Sequence, residues 1–182
     1  MIFHAHLHTH IILPVLRDFD FDRLFPEVSH VRAALLHGTI ASESIYGTYL
    51  VQLNNGPALG ICQMEPATHD DIWKNWLQHR RAVADRVSYY LGLPSGEWQN
   101  TTFSAMAPYM IWNLKYAVAM AACHYRRVPA ELPEESEATV FSLAEYWKKH
   151  YNTHKGRGTV TDFVAKWERA KLHELYPSIP IR

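Results

Sequence analysis

The residue with the clearest chemical potential is a carboxylate, Glu43, which ends an apolar segment at residues 40–44. After an irregular span, a loop at residues 60–68 follows and carries Gln63. A carboxyl group that closes an apolar helix beside such a loop can act as a general acid in a cleft, because burial raises its pKa. Glutamates near helix ends are also common in ordinary helices. These residues alone make Glu43 a candidate general acid and do not identify a substrate.

A second chemical pattern lies at the start of the chain, where histidines alternate with other residues at His4, His6, His8 and His10. This period of two predicts a strand or extended arm that ends at Pro14. Four imidazoles on one face could bind a transition metal or become protonated together at mildly acidic pH. The alternative is a solvated or partner-facing edge, since alternate positions on one strand do not converge on a single point.

The rest of the chain shows helical periodicity, which predicts a mainly α protein. Residues 1–22 are expected to form the extended N-terminal arm, and residues 23–182 a single helical domain. The polar loop 95–102 carries Trp98, the tryptophan that we expect to be exposed and able to stack on a sugar. The predicted helices cover residues 23–44, 70–91, 103–127, 136–151 and 159–175, the last capped by Thr159.

Composition limits the class of protein. The chain has 182 residues, of which 48% are hydrophobic, so it is long and apolar enough for one packed domain and is not a disordered protein. Eighteen basic residues balance eighteen acidic ones, which gives no general affinity for nucleic acid or an anionic membrane. No segment approaches the roughly 20 apolar residues of a membrane-spanning helix. The N-terminus does not resemble a secretory signal, so we expect synthesis in the cytoplasm.

The order of motifs resembles the lysozyme-like superfamily, in particular the branch of soluble lytic transglycosylases and goose-type lysozymes. In that family a Glu-Ser pair ends a helix, and a Gly-Leu-Met-Gln-Ile-Met-Pro-Ala-Thr segment follows. Here the pair is Glu43-Ser44, and the later segment is Gly60-x-x-Gln63-x-x-Pro66-Ala67-Thr68. The overall pattern is most like versions carried by tailed bacteriophages.

Two further segments fall in the family's order. Residues 113–117 resemble the asparagine-led start of its long helix, and Ala144 with Tyr151-Asn152 resembles its late Ala-x-Tyr-Asn-x-Gly motif. The resemblance covers residues 30 to 165 approximately. Two departures stand out: Glu65 replaces a hydrophobic residue, and Tyr151 lies farther from Ala144 than is usual in the family.

The resemblance implies cleavage of the β-1,4 bond between N-acetylmuramic acid and N-acetylglucosamine in peptidoglycan, without a metal or cofactor. Glu43 would protonate the glycosidic oxygen. The substrate's own acetamido group would assist at the anomeric carbon, and Glu43 would then act as a base to give a 1,6-anhydro product. Gln63 would bind the sugar, and Tyr151 would orient Glu43 or the acetamido group. The implied substrate-binding residues are Ser44, Gln63, Tyr151 and Asn152.

The role of Glu65 stays open at this stage. A second carboxylate supports water-based inversion when two carboxyl groups lie roughly 6.5–9.5 Å apart. Glu65 could equally be a surface residue, or a hydrogen-bond partner that sets the pKa of Glu43. The pKa-setting role is the one we favour over the second-carboxylate role.

The resemblance to phage proteins suggests two settings, a host-lysis enzyme or a virion component that opens the cell wall. Both would be made in the host cytoplasm and would act on peptidoglycan, and the extended arm could dock onto other virion tail proteins. The alternative is a structural tail or neck protein that keeps a lysozyme-like fold with little or no activity. A third class is a carbohydrate-binding module that leaves its ligand intact.

Overall fold

A computed structural model describes residues 2–19, 30–153 and 156–182, and within these ranges the structure is mostly helical. The predicted mainly α class is confirmed. The described ranges hold no strand beyond isolated antiparallel bridges, which join Leu59 to Val51 and to Met64. The helices are α1 His4–Leu7, α2 Leu13–Phe19, α3 His30–Ser44, α4 Pro66–Asn75, α5 Arg81–Tyr89, α6 Phe103–Met106, α7 Leu114–Arg126, α8 Val140–Trp147 and α9 Val160–Arg169.

Helix α7 supplies the most deeply buried part of the core, because it is apolar on nearly all sides and contacts α2, α3, α4 and α5. Helix α3 contacts α7 and also packs against α8 and α9. Gly38 makes the contact with α9 possible: a Cβ at this position would lie 2.0 Å from Cζ of Phe163. The absence of a side chain at Gly38 therefore lets the Phe163 ring lie directly on the backbone of α3.

The extended conformation predicted for the N-terminal arm is wrong. Residues 4–19 are helical, because α1 and α2 are joined by a π-helical turn at His8–Ile12. The five-residue interval between the buried Leu7 and Ile12 fits this wider turn, and Val15 also lies in the core. Burial of these apolar side chains decides the conformation, since in a strand Leu7 and Ile12 would lie on opposite faces.

Two of the predicted long helices are interrupted. The helix predicted from residue 70 starts earlier, at Pro66, whose fixed φ suits the first helical position, and it ends at Asn75. Trp76 and Arg80 have φ of −136° and separate it from α5. The helix predicted at residues 103–127 breaks before Asn113, whose side chain accepts a hydrogen bond from the Tyr116 N–H and caps α7.

Tertiary contacts also correct the prediction for Trp98. Its side chain is buried, and its Nε1–H donates to Oδ1 of Asp85 at 2.7 Å, so it is not a free surface for a sugar. The cap predicted at Thr159 is confirmed, because this residue and Asp162 form a reciprocal capping box at the start of α9. The part of the predicted helix at residues 23–29 lies outside the described residues. No helix in the described ranges is long and apolar enough to cross a bilayer.

Candidate active site

Five of the six predicted site residues line one cleft of about 900 Å³, and Ser44 is not among the lining residues. Its walls come from the end of α3, the segment from Tyr49 to Thr68, the end of α7, the turn after α8, and Lys166 on α9. Five residues singled out from the sequence line this cleft although three separate segments carry them. They are Glu43, Gln63, Glu65, Tyr151 and Asn152.

Glu43 lies in the last turn of α3, where local hydrogen bonds end the helix. Ile45 and Tyr46 adopt left-handed φ of 50° and 54°, which turns the chain away from the helix axis. The Gly47 N–H donates to Oγ of Ser44 at 2.9 Å, and that hydroxyl donates to the Ile40 carbonyl at 3.3 Å. Ser44 is fully buried in this arrangement, so its observed contacts are those of a helix end.

The environment of Glu43 favours its protonated form. The side chain is half-buried, and burial raises the pKa of the carboxyl group from 4.5 to about 7. Hydrogen bonds from Trp147 and Asn152 and the positive charges of Lys166 and Lys148 oppose this shift. A carboxyl group with a pKa near 7 can donate a proton at neutral pH and can accept one back as the carboxylate.

The most direct contact with Glu43 comes from Trp147, which the sequence did not single out. Its indole Nε1–H donates to Oε1 of Glu43 at 2.9 Å. Lys166 also contacts the end of α3, since its Nζ donates to the Ser42 carbonyl at 2.6 Å. Both residues are more than a hundred positions from Glu43 in the chain and carry no motif, so only their packing identifies them.

The loop before α4 holds Gln63 in an unusual backbone conformation, with φ of 46°. Gly60, at φ of 74°, makes this tight turn possible, since a Cβ there would lie 2.2 Å from the carbonyl oxygen of Met110. The amide of Gln63 donates through Nε2 to the Gly60 carbonyl at 2.9 Å. Its Oε1 is buried at the cleft without a hydrogen-bond partner among the described residues, which makes it an available acceptor for a ligand.

Tyr151 and Asn152 belong to a π-helical turn, Lys148–Asn152, that follows α8. The hydroxyl of Tyr151 donates to the Cys62 carbonyl at 2.8 Å, so it holds the loop that carries Gln63. The side-chain contacts that act on the Glu43 carboxyl group come from Trp147 and Asn152. The role predicted for Tyr151, to orient Glu43 or the acetamido group of the substrate, stays a prediction. The π-helical turn adds length between Ala144 and Tyr151, where the sequence departs from the family's spacing.

Glu65 is exposed at the rim of the cleft, at the N-cap position of α4. The largest influences on the pKa of Glu43 come from burial, Trp147 and Lys166. The pKa-setting role that the sequence favours for Glu65 is therefore filled by other groups. Its exposure matches the surface-residue alternative, and its position on the cleft also keeps the second-carboxylate alternative open to experiment.

Three further polar residues line the cleft without having been predicted as site residues. Ser42 is buried, and its Oγ lacks a partner among the described residues. The Nε2–H of His124 donates to the His150 carbonyl at 2.7 Å, and burial lowers the pKa of His124 to about 4. Arg127 is paired with Asp71. The sequence around an arginine at the end of a helix does not show whether the side chain lines a cleft or lies on a solvated surface.

The N-terminal histidines lie in a helical segment and not on one face of a strand. His8 lies beside the buried His37, with ring centroids 5.4 Å apart, and burial lowers the pKa of both. Within residues 2–19, 30–153 and 156–182, no group of three or more His, Cys, Asp or Glu side chains is arranged to hold a metal ion.

The chain matches no protein-family model, no curated protein and no solved structure. A functional assignment therefore depends on the residues of the cleft and on the motif resemblance.

Proposed function

We propose that this protein is a peptidoglycan-cleaving glycosidase, a lytic transglycosylase or lysozyme, that acts on the β-1,4 bond between N-acetylmuramic acid and N-acetylglucosamine. The observation that carries this proposal is the half-buried Glu43 at an open cleft, with a pKa of about 7. Such a group supplies the proton that a glycosidic oxygen needs as it leaves. The motif resemblance supplies the identity of the substrate.

In the proposed reaction, Glu43 protonates the glycosidic oxygen while the acetamido oxygen of the N-acetylmuramic acid residue attacks the anomeric carbon. The Glu43 carboxylate then removes the proton of the C6 hydroxyl, which closes the 1,6-anhydro ring and displaces the acetamido oxygen. Glu43 ends the cycle protonated, so this route does not require a second carboxylate. In the hydrolytic alternative, a water molecule attacks the anomeric carbon directly in one inverting step. Glu43 protonates the leaving glycosidic oxygen, Glu65 is the candidate base that takes the proton of the water, and proton exchange with solvent restores both carboxyl groups.

Two buried polar atoms support the binding of a sugar or amide in this cleft. Oε1 of Gln63 can accept a hydrogen bond from a hydroxyl or an N–H group, and Oγ of Ser42 can donate or accept. Leaving such atoms unpartnered away from water costs about 1–3 kcal/mol each. A ligand that satisfies both would recover part of this cost on binding.

The proposed biological setting is a phage protein used in host lysis or carried in the virion. The N-terminal segment no longer provides a separate argument for docking onto tail proteins, because its helix packs into the core through Leu7, Ile12 and Val15. The virion role therefore stands on the motif resemblance.

Digestion of purified Gram-negative peptidoglycan tests the activity and its chemistry together. Wild type, Glu43→Gln and the exposed cleft variant Glu65→Gln would be compared, with released muropeptides identified by mass. We expect anhydro-muropeptides from wild type and from Glu65→Gln, and none from a folded Glu43→Gln protein. Products with reducing ends that disappear in Glu65→Gln would show hydrolysis with Glu65 as the base. No release from folded wild type would refute the enzymatic proposal and favour the structural role in a phage tail or neck.

A further inference from the structure

The contacts around Glu43 assign a task to Trp147, the last residue of α8, and to Asn152 in the turn that follows. We propose that Trp147 and Asn152 are positioning residues that hold the Glu43 carboxyl group in one orientation and direct its acidic proton to Oε2. The inference rests on the proposed function for its catalytic consequence, in which Glu43 is the general acid. The orientation itself follows from contacts within the protein.

The indole group determines which oxygen carries the proton. Nε1–H of Trp147 is a donor only, and it lies 2.9 Å from Oε1 of Glu43. In a protonated carboxyl group the carbonyl oxygen is the better acceptor, so Oε1 takes that role and the hydroxyl falls on Oε2. A general acid is effective only when its proton faces the leaving oxygen, and Trp147 restricts the acid to the form that carries its proton on Oε2.

Packing prevents the indole from leaving Glu43. Trp147 is 1% exposed, and its ring lies against Phe163 with centroids 5.3 Å apart. On another side the backbone of Gly158 closes the space, since a Cβ there would lie 2.6 Å from Cη2 of Trp147. The donor is thus fixed before any substrate arrives, so no reorganisation is needed to orient the acid.

Asn152 is oriented toward Glu43 by a lysine. Nζ of Lys148 donates to Oδ1 of Asn152 at 2.7 Å and to the Gly156 carbonyl at 2.8 Å. With Oδ1 occupied by a cation, the amide NH₂ is the part of Asn152 that remains to interact with Glu43, and this interaction lowers the pKa of the carboxyl group. Lys148 therefore holds the Asn152 amide in place independently of Trp147.

The π-helical turn explains how both donors reach one carboxyl group. Trp147 and Asn152 are five residues apart, and in a regular α-helix such residues lie about 140° apart around the axis. The wider π-helical winding of Lys148–Asn152 reduces this angle and brings the two side chains toward the same side.

The first experiment measures the indole contact directly by NMR. The Trp147 indole N–H resonance, assigned through its connectivity to the Trp147 side chain and backbone, would be followed between about pH 5 and 9 in wild type and in Glu43→Gln. We expect a titration near pH 7 in wild type that is absent in Glu43→Gln. A Trp147 resonance that does not change across this range in wild type would overturn the proposal. This result requires neither activity nor a Trp147 variant.

The second experiment compares Trp147→Phe with a matched control, Trp167→Phe. Trp167 is also fully buried, and its Nε1 has no partner among the described residues, so its replacement removes an indole without removing a hydrogen bond to Glu43. Loss of the Trp147 donor destabilises the Glu43 carboxylate, and the alkaline limb of the pH profile for peptidoglycan cleavage should move up by about one pH unit. We also expect kcat to fall several-fold with little change in KM.

The control separates positioning from general damage to the core. Trp167→Phe should keep the wild-type alkaline limb, and equal shifts in both variants would contradict the proposal. The two hypotheses also fail differently. An indole titration in a protein that cleaves no peptidoglycan would refute the proposed function and keep the positioning contact, whereas cleavage without the titration would refute the positioning role alone.

Discussion

Replacing Glu43 by glutamine should stabilise the fold at alkaline pH and leave it nearly unchanged in acid. Burial raises the pKa of Glu43 from 4.5 to about 7, so the folded protein binds this proton more tightly than the unfolded chain does. The resulting stability is fully present below pH 4.5 and is lost as the pH rises to about 7. At about 1.4 kcal/mol per pH unit, ionisation of Glu43 lowers the free energy of unfolding by about 3 kcal/mol.

The glutamine variant avoids this cost because its side chain is neutral at every pH. Its Oε1 can still accept the hydrogen bond from Trp147. Since Glu43 is only half-buried, solvent screens part of the effect, and the expected gain in unfolding free energy above pH 8 is about 2 kcal/mol. Near pH 5 most of Glu43 is protonated in the folded protein, so the gain should be small there.

Urea unfolding of wild type, Glu43→Gln and Glu65→Gln at pH 5 and pH 8.5 measures this effect. The titrating histidines are common to all three proteins, so differences at one pH isolate the replaced carboxylate. The exposed Glu65 lines the same cleft, and its replacement should leave the unfolding free energy of wild type unchanged at both pH values. A Glu43→Gln gain that is equal at the two pH values, or absent at pH 8.5, would refute the reasoning from burial.

Three further predictions concern stability. Gly38→Ala should lower the unfolding free energy by about 1–3 kcal/mol, because the new Cβ meets the Phe163 ring, and Phe163→Leu in the same chain should recover part of the loss in a double-mutant cycle. Thr159→Ala should cost about 1 kcal/mol in urea unfolding, since it removes the capping box of α9; no change would show that the box contributes nothing. Burial lowers the pKa of His124 from 6.5 to about 4, so the stability it contributes is present above pH 6.5 and falls as the pH drops toward 4. His124→Gln should therefore flatten the acid branch of stability against pH, whereas the exposed His79→Gln should not.

Local patterns in the sequence predict several features correctly. The 3.6-residue periodicity and the turn residues are properties of short segments, so they indicate the mainly α class and the cap at Thr159 without tertiary information. The motif order also brings Glu43 and Gln63 together as candidates, and both line the same cleft. The error in the predicted exposure of Trp98 comes from a tertiary contact, because its buried indole N–H donates to Asp85.

The sequence by itself determined the helical class, the single acid candidate and the loop that faces it, because each depends on residues that are close together in the chain. Only the tertiary structure decided which groups control that acid. Trp147 and Lys166 reach the end of α3 through packing of α8 and α9, over separations that no local pattern encodes. At the N-terminal histidines, a local pattern predicts the wrong secondary structure. Their alternation is a local pattern typical of a strand, but burial of Leu7 and Ile12 favours a helix, and the burial of apolar surface outweighs a weak local preference.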